Sequence, residues 1–382
     1  YHDNRIIKGG MTVSLEQNQV QFFLGANAPQ GFVSRFDQLC RQDWRCFILK
    51  GAPGLGKSTL MRQAAALLQD RCENIEYILC SSDPHSLDAV LFHDLKIAIA
   101  DGTSPHVIEP MFPGVCERVV QLSDCLDDDS LFQLRDEIIP LYLSGMHTGE
   151  QASRYLSAAA ALLGDTYRIA LECTDAAKIA RFAQRVASRE FKRTGDRKGT
   201  EHFRFLSAFT GEGCVTLDHT ARLLAERIYF LEDDWGASSR LLLYHLRTLA
   251  LDAGYDVITC QSPLYPDDRM EHLFIPQLSL GFMSVHFGHR PALEPYKVVN
   301  ARRFTDQSAI KLRKKRISFN RKAALQMLEQ ATFLLFEGME IHRCIEGYYA
   351  SALDYEHLDQ LADGMLRRLV RMADEALPPF EG

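Results

Sequence analysis

Apolar residues along this chain fall into short continuous runs separated by longer stretches of helical spacing. The run Cys46-Phe-Ile-Leu49 precedes a glycine-rich loop and a helical stretch through Gln69. A second run, Tyr77 to Cys80, and a third, Leu95 to Ala100, follow at strand length. A short strand and glycine turn, Phe22 to Phe32, stands before them. Beyond the third run the pattern becomes helical, over Leu131 to Leu143 and Glu150 to Phe191, where Tyr155, Ala159, Leu162, Leu163 and Tyr167 recur on one face. Strands alternating with helices predict an α/β fold with parallel sheets and helical extensions.

The same succession occurs again. Shifting the sequence by 182 positions pairs Phe23 with Phe205, Gly31 with Gly213, Leu49 with Leu231, Gly54 with Gly236 and Leu60 with Leu242. Small changes of offset bring Cys80 and Asp88 over Cys260 and Asp268, Leu95 over Leu278, and His106 over His289. The second copy has its strands at Phe203 to Val215, Val257 to Cys260 and Leu278 to Met283, and its helical region at Lys322 to Met372. The expectation is two tandem domains of one kind, 11–191 and 201–382, joined by the charged linker 192–200.

The loop behind the first run, Gly51-Ala-Pro-Gly-Leu-Gly-Lys-Ser58, reads as a phosphate-binding P-loop. Its glycines let the backbone curl so that successive N–H groups point at phosphate oxygens. Gly51, Ala52, Pro53, Gly54, Leu55, Gly56, Lys57, Ser58 and Thr59 are therefore the expected nucleotide contacts. Lys57 supplies the cation for the terminal phosphates, and the Ser58 hydroxyl is placed to ligate Mg²⁺. Asp101 closes the run Leu95 to Ala100 and is the expected second-sphere partner of that Mg²⁺. Asp83, in Ser81-Ser-Asp-Pro84, is the candidate base for an attacking water or acceptor hydroxyl, against a plain turn role. His106 and Asp88 have counterparts in the second copy, which favours hydrogen bonding over catalysis. That copy carries Asp233-Asp-Trp-Gly-Ala-Ser-Ser-Arg240 where the first has its P-loop, with Ser239 at the lysine position and Arg240 one place late. Carboxylates facing a polyphosphate repel it, so this loop reads as degenerate.

Composition changes the picture in three places. The 382 residues with 46% apolar content allow two buried cores. A formal net charge of −7 argues against nucleic acid as the general partner, and no run approaches membrane-spanning length. The ten cysteines show no paired spacing, which suits reduced thiols in a cytoplasmic protein. The basic run Lys311 to Arg316 reads as a solvated face or as a source of a cation for the γ-phosphate.

Together the P-loop, Gly25-Ala-Asn-Ala-Pro-Gln-Gly-Phe32, Ser86-Leu-Asp88 and Asp101-Gly-Thr-Ser-Pro-His106 make the chain resemble a family of uncharacterised bacterial tandem P-loop NTPases, mostly from Gram-positive spore formers. In that family both halves can carry a loop ending in Gly-Lys-Ser, from which Asp233 to Arg240 depart. The resemblance implies nucleotide binding and brings no known substrate. The expectation is Mg-dependent binding and hydrolysis of ATP or another NTP by the first copy, with the second structural or regulatory. Alternatives are a small-molecule kinase with an unknown acceptor, and a nucleotide-gated module that binds a protein partner with negligible hydrolysis. The sequence leaves the oligomeric state open, a homo-oligomer included.

Overall fold

The computed structural model describes residues 19–39, 43–193, 195 and 197–376. Residues 1 to 18, Cys40 and part of the linker lie outside the described residues. The strands are β1 (Val20–Phe23), β2 (Gly25–Ala28), β3 (Gly31–Ser34), β4 (Arg45–Lys50), β5 (Ile75–Leu79), β6 (Leu87–Phe92), β7 (Ile97–Asp101), β8 (Glu117–Gln121), β9 (Glu201–Arg204), β10 (Ser207–Thr210), β11 (Gly213–Thr216), β12 (Arg227–Glu232), β13 (Val257–Ser262), β14 (Tyr265–Ile275), β15 (Leu280–Val285) and β16 (Lys297–Asn300). The helices are α1 (Lys57–Leu68), α2 (Asp128–Gln133), α3 (Arg135–Glu172), α4 (Ala176–Glu190), α5 (Asp218–Leu224), α6 (Ala237–Asp252), α7 (Gln307–Leu312), α8 (Lys314–Ser351) and α9 (Tyr355–Ala376).

Two six-stranded sheets form, in the orders β1-β5-β6-β7-β4-β8 and β9-β13-β14-β15-β12-β16. Both are mixed, mostly parallel sheets with helices, an arrangement consistent with a P-loop NTPase-like fold. One strand in each corrects the expectation of parallel sheets. β6 runs antiparallel to both β5 and β7, and β14 antiparallel to both β13 and β15. The sequence hides these strands because each begins at a polar turn: Leu87–Phe92 follows Ser-Asp-Pro-His-Ser, and β14 opens with Tyr265-Pro-Asp-Asp-Arg. The β6–β7 turn ends at Lys96 and the β14–β15 turn at Ser279, both with positive φ (52° and 48°). β7 consequently starts at Ile97, two residues later than the apolar run suggests.

The chain divides into two compact units, and they interleave along the sequence. The first comprises 1–25, 34–149 and 335–382; the second comprises 26–33 and 150–334. The first sheet takes part of its helical cover, α9, from a distant stretch of chain, whereas the second takes α4 from just before β9. In the second unit, Ile179, Ala183 and Val186 of α4 pack with Tyr229, Leu231, Leu242, Leu246 and Phe282 in one apolar core. The buried Glu190 ends that helix, accepting from Arg227 Nη1 (2.6 Å) and from the Tyr229 hydroxyl (2.7 Å). In the first unit α9 buries Leu358, Ala362, Met365 and Leu369. An ion pair between Arg71 and Asp374 (3.0 Å) joins the end of α1 to α9. Among the described residues no helix is long and apolar enough to cross a membrane, and no disulfide forms.

Candidate functional site

In the first unit the loop from Gly51 to Gly56 leaves the C-terminal end of β4 and enters α1 at Lys57. Gly54 has φ of 81°, and a β-carbon there would stand 3.0 Å from the carbonyl oxygen of Glu346 on α8. Glycine is thus required both for the left-handed turn and for the close approach of a helix backbone. Gly56 is likewise left-handed and caps α1. Leu49 on β4 stands in register with Asp101 at the end of the parallel neighbour β7. That register brings the Lys57 ammonium within 3.2 Å of Asp101 Oδ2, both side chains largely buried. Lys57 also donates to Gly51 O (2.6 Å), Ala52 O (3.2 Å) and Thr103 Oγ1 (3.1 Å). Thr103 in turn donates its amide to Asp101 Oδ1 (2.9 Å).

Loop and strand ends line an open cleft of about 1020 Å³. Gly51 to Thr59, Asp101 and Thr103 form one side; Cys80, Asp88 and His106 lie deeper; Tyr142, His342, Glu346 and Tyr349 approach from α3 and α8. Ser58 Oγ accepts the amide of Leu87 (2.9 Å), which ties the start of α1 to the start of β6. The hydroxyl and carboxylate of Ser58 and Asp101 are hard oxygen donors facing the same cleft, a set that suits Mg²⁺. Asp83 stands apart: it does not line the cleft, and its Oδ1 accepts the amide of His85 (3.1 Å), as a turn aspartate does.

Sequence reasoning treated Asp88 and His106 as ordinary hydrogen-bonding groups and did not join them to Cys80. The structure brings His106 Nε2 to 3.0 Å from Asp88 Oδ2, both side chains about 5% exposed or less. Burial alone lowers the pKa of His106, but the adjoining Asp88 carboxylate, with Asp101 further off, more than offsets it and the net shift is upward. Burial, and then the charge of Asp88, pushes the Cys80 thiol well above its ordinary value. The missed signal was spacing across an unrecognised hairpin, because the β5–β6 turn sets Asp88, near the start of β6, close to Cys80, just past the end of β5.

In the second unit the turn before α6 keeps one glycine, the left-handed Gly236. Between β12 and α6 the chain runs only from Asp233 to Gly236, and α6 starts earlier than α1 does. The Asp233 carboxylate, 4% exposed, accepts from Trp235 N (3.2 Å), Ser239 N (2.8 Å) and Ser239 Oγ (3.1 Å). An anion belonging to the protein thus occupies the N-terminal turn of α6, where amides and helix dipole favour negative charge. The Arg269 guanidinium closes over Gly236, within 2.7 Å of where a β-carbon would lie. Arg240 lies over the Tyr167 ring, 5.1 Å from its centroid. The cavity beside this loop is about 260 Å³.

Strand register also revises which residues correspond. Leu231 faces Ser284 as Leu49 faces Asp101. Ala89 pairs Ala100 in one hairpin and His272 pairs Met283 in the other, so Glu271, one place before His272, matches Asp88. Ile78 pairs Ala89, and Cys260 pairs His272; two residues on, Ser262 therefore matches Cys80. The small change of offset made in the sequence comparison had put Asp268 and Cys260 in those places; the unchanged shift of 182 positions already sets Cys80 over Ser262. The basic run is engaged within its own unit, Arg316 Nε donating to Asp165 Oδ2 (2.8 Å) and Arg313 pairing with Glu172 (3.0 Å).

A family model described as AAA domain (dynein-related subfamily) matches residues 46–104. The segment spans β4, the loop, α1 and the strands through Asp101, well under half of the chain. This similarity supports a P-loop nucleotide-binding ATPase domain. Comparisons with curated proteins and with solved structures find no match.

Proposed function

We propose that the first unit binds a nucleoside triphosphate with Mg²⁺ and hydrolyses it, ATP being in keeping with the AAA-domain similarity. One observation carries this reading: Lys57, at the end of a glycine-rich loop, sits 3.2 Å from Asp101 on the adjacent parallel strand, at the shared C-terminal edge of both. Gly51, Gly54 and Gly56, with Ala52, Pro53 and Leu55 between them, shape the cradle. Lys57 and the amides through Thr59 neutralise phosphate oxygens. Ser58 and Asp101 would hold Mg²⁺, which when bound offsets charge on the phosphates. The base role expected of Asp83 requires its turn to reorganise, since the carboxylate is committed to His85 N.

On this proposal the second unit's sheet is the duplicated copy of the first, with the same strand order and a left-handed non-glycine residue, Lys96 or Ser279, just before β7 or β15. Its loop no longer takes a nucleotide, because Asp233 supplies the anion. The test is isothermal titration with a non-hydrolysable ATP analogue and Mg²⁺, repeated with the GTP analogue and with Lys57→Ala. One nucleotide per chain, lost in Lys57→Ala, supports the reading; two per chain, or equal binding by the variant, sinks it. A second reading, a small-molecule kinase, has one observation in its favour. The cleft continues past the loop to Tyr142, His342, Glu346 and Tyr349, polar groups that an acceptor could meet. Turnover of ATP alone separates a hydrolase from a kinase, which needs its acceptor, and from a gated binding module, which turns over almost nothing.

A further inference from the structure

We propose that Cys80, Asp88 and His106 form a binding site for a zinc-class divalent cation in the wall of the cleft. Three elements converge there. Cys80 follows β5, Asp88 opens β6, and His106 lies in the loop after β7. One ligand atom from each, thiol sulfur, carboxylate oxygen and ring nitrogen, lies within 4.8 Å of the others. Ligands at zinc bond lengths around a tetrahedral centre stand about 3.3–3.8 Å apart, so closing on an ion takes a shift of about 1 Å at the Cys80 sulfur and a small opening of the 3.0 Å His106–Asp88 pair. Asp88 and His106 are at 4% exposure, and Cys80 is partly buried. Phe36, itself buried, lies against the His106 ring with centroids 4.6 Å apart and fixes its plane.

Donor chemistry picks the ion. A thiolate beside an imidazole and a carboxylate favours zinc and its neighbours over magnesium, which Ser58 and Asp101 suit with oxygen alone. Thiolate and carboxylate together carry two negative charges, matching a dication, and the neutral imidazole completes three protein ligands. Binding releases the thiol proton and the proton held between Asp88 and His106 to solvent. All three residues line the cleft, so a fourth position faces the space beside the P-loop, as in sites that bind water or a substrate oxygen. The second unit has Ser262, Glu271 and His289 at the corresponding places. A serine hydroxyl is a poor zinc ligand, so the site belongs to the first unit alone.

The experiment reads metal without nucleotide, so it stands or falls apart from the ATPase reading. Full-length protein, incubated with zinc and dialysed without chelator, is assayed by inductively coupled plasma mass spectrometry. Cobalt-loaded protein is scanned for thiolate-to-cobalt charge transfer. About one zinc per chain is expected, with the charge-transfer band. Cys80→Ser and His106→Ala should lose both signals. Cys72→Ser should keep them, because Cys72 Sγ also meets a carboxylate (Asp94, 3.5 Å) but belongs to no three-ligand cluster among the described residues. Serine already occupies the matching place in β13, and an unchanged circular dichroism melt of Cys80→Ser checks the fold. Substoichiometric zinc in the parent protein, or a full zinc complement with the same cobalt spectrum in Cys80→Ser, overturns the proposal.

Discussion

Replacing Asp233 with alanine tests whether a protein carboxylate has taken the place of phosphate in the second unit. The side chain is 4% exposed and accepts two bonds from Ser239 and one from Trp235 N. Hydrogen bonds to a charged acceptor contribute ~1.5–3 kcal/mol, and loss of a capping acceptor costs ~0.5–2 kcal/mol. Removing a buried charge recovers part of its desolvation cost, so a net loss of about 2 kcal/mol is expected. With a urea m-value of ~2 kcal/mol/M the midpoint falls by about 1 M. The chain has two tryptophans, so a Trp44→Phe background, excited at the red edge where tyrosine does not absorb, leaves Trp235 as the tryptophan reporter beside the mutated residue. Asp233→Asn keeps one acceptor oxygen but no charge and should recover no more than half the loss. Nucleotide stoichiometry should stay at one per chain in both variants, since the shortened loop still lacks its lysine. An unchanged midpoint in Asp233→Ala, or full recovery in Asp233→Asn, refutes the anion-replacement argument.

Gly54→Ala combines a left-handed backbone, costing ~1–2 kcal/mol, with a β-carbon 3.0 Å from Glu346 O, and should weaken binding of the ATP analogue at least tenfold by calorimetry. Asp101→Asn removes the charge beside Lys57 and should cut turnover by roughly 10²–10³, measured by phosphate release at saturating Mg²⁺. Asp83→Asn and Arg240→Ala should change turnover less than about threefold, because one side chain holds a turn and the other lies on Tyr167. Glu190 is opposed by burial but held below its ordinary pKa by Tyr229, Arg189 and Arg227. Its contribution is therefore present above the unfolded value of ~4.3 and lost as pH falls through the lower folded one. Melting temperatures followed below that pH should decline less steeply in Glu190→Gln than in the parent protein.

The legible parts of this molecule were those written in local sequence. Cys46-Phe-Ile-Leu49 before Gly51 to Ser58 specifies strand, loop and helix within one stretch, and Asp101 at the end of an apolar run marks a strand terminus. What escaped was whatever depends on pairing between strands. Asp88 begins a strand that reads as the tail of a polar turn, so its approach to Cys80 and His106 has no signature in spacing. The same blindness affects the comparison of the two sheets, because the changed offset applied at Cys80 and Asp88 ignores the length of the β13–β14 connection and its register irregularity near Gln261. Helix partners were hidden for another reason. The pattern of Ile179, Ala183 and Val186 declares an apolar face but not which sheet covers it, and α4 lies against the sheet that follows it in sequence. Sequence named Lys57, Ser58 and Asp101 as candidates, which the parallel pair β4–β7 brings to one edge; the antiparallel strand β6 decides where Asp88 goes. If that strand creates the Cys80–Asp88–His106 cluster, the second unit, which has a carboxylate in Glu271 and an imidazole in His289, differs by the thiol, where Ser262 stands.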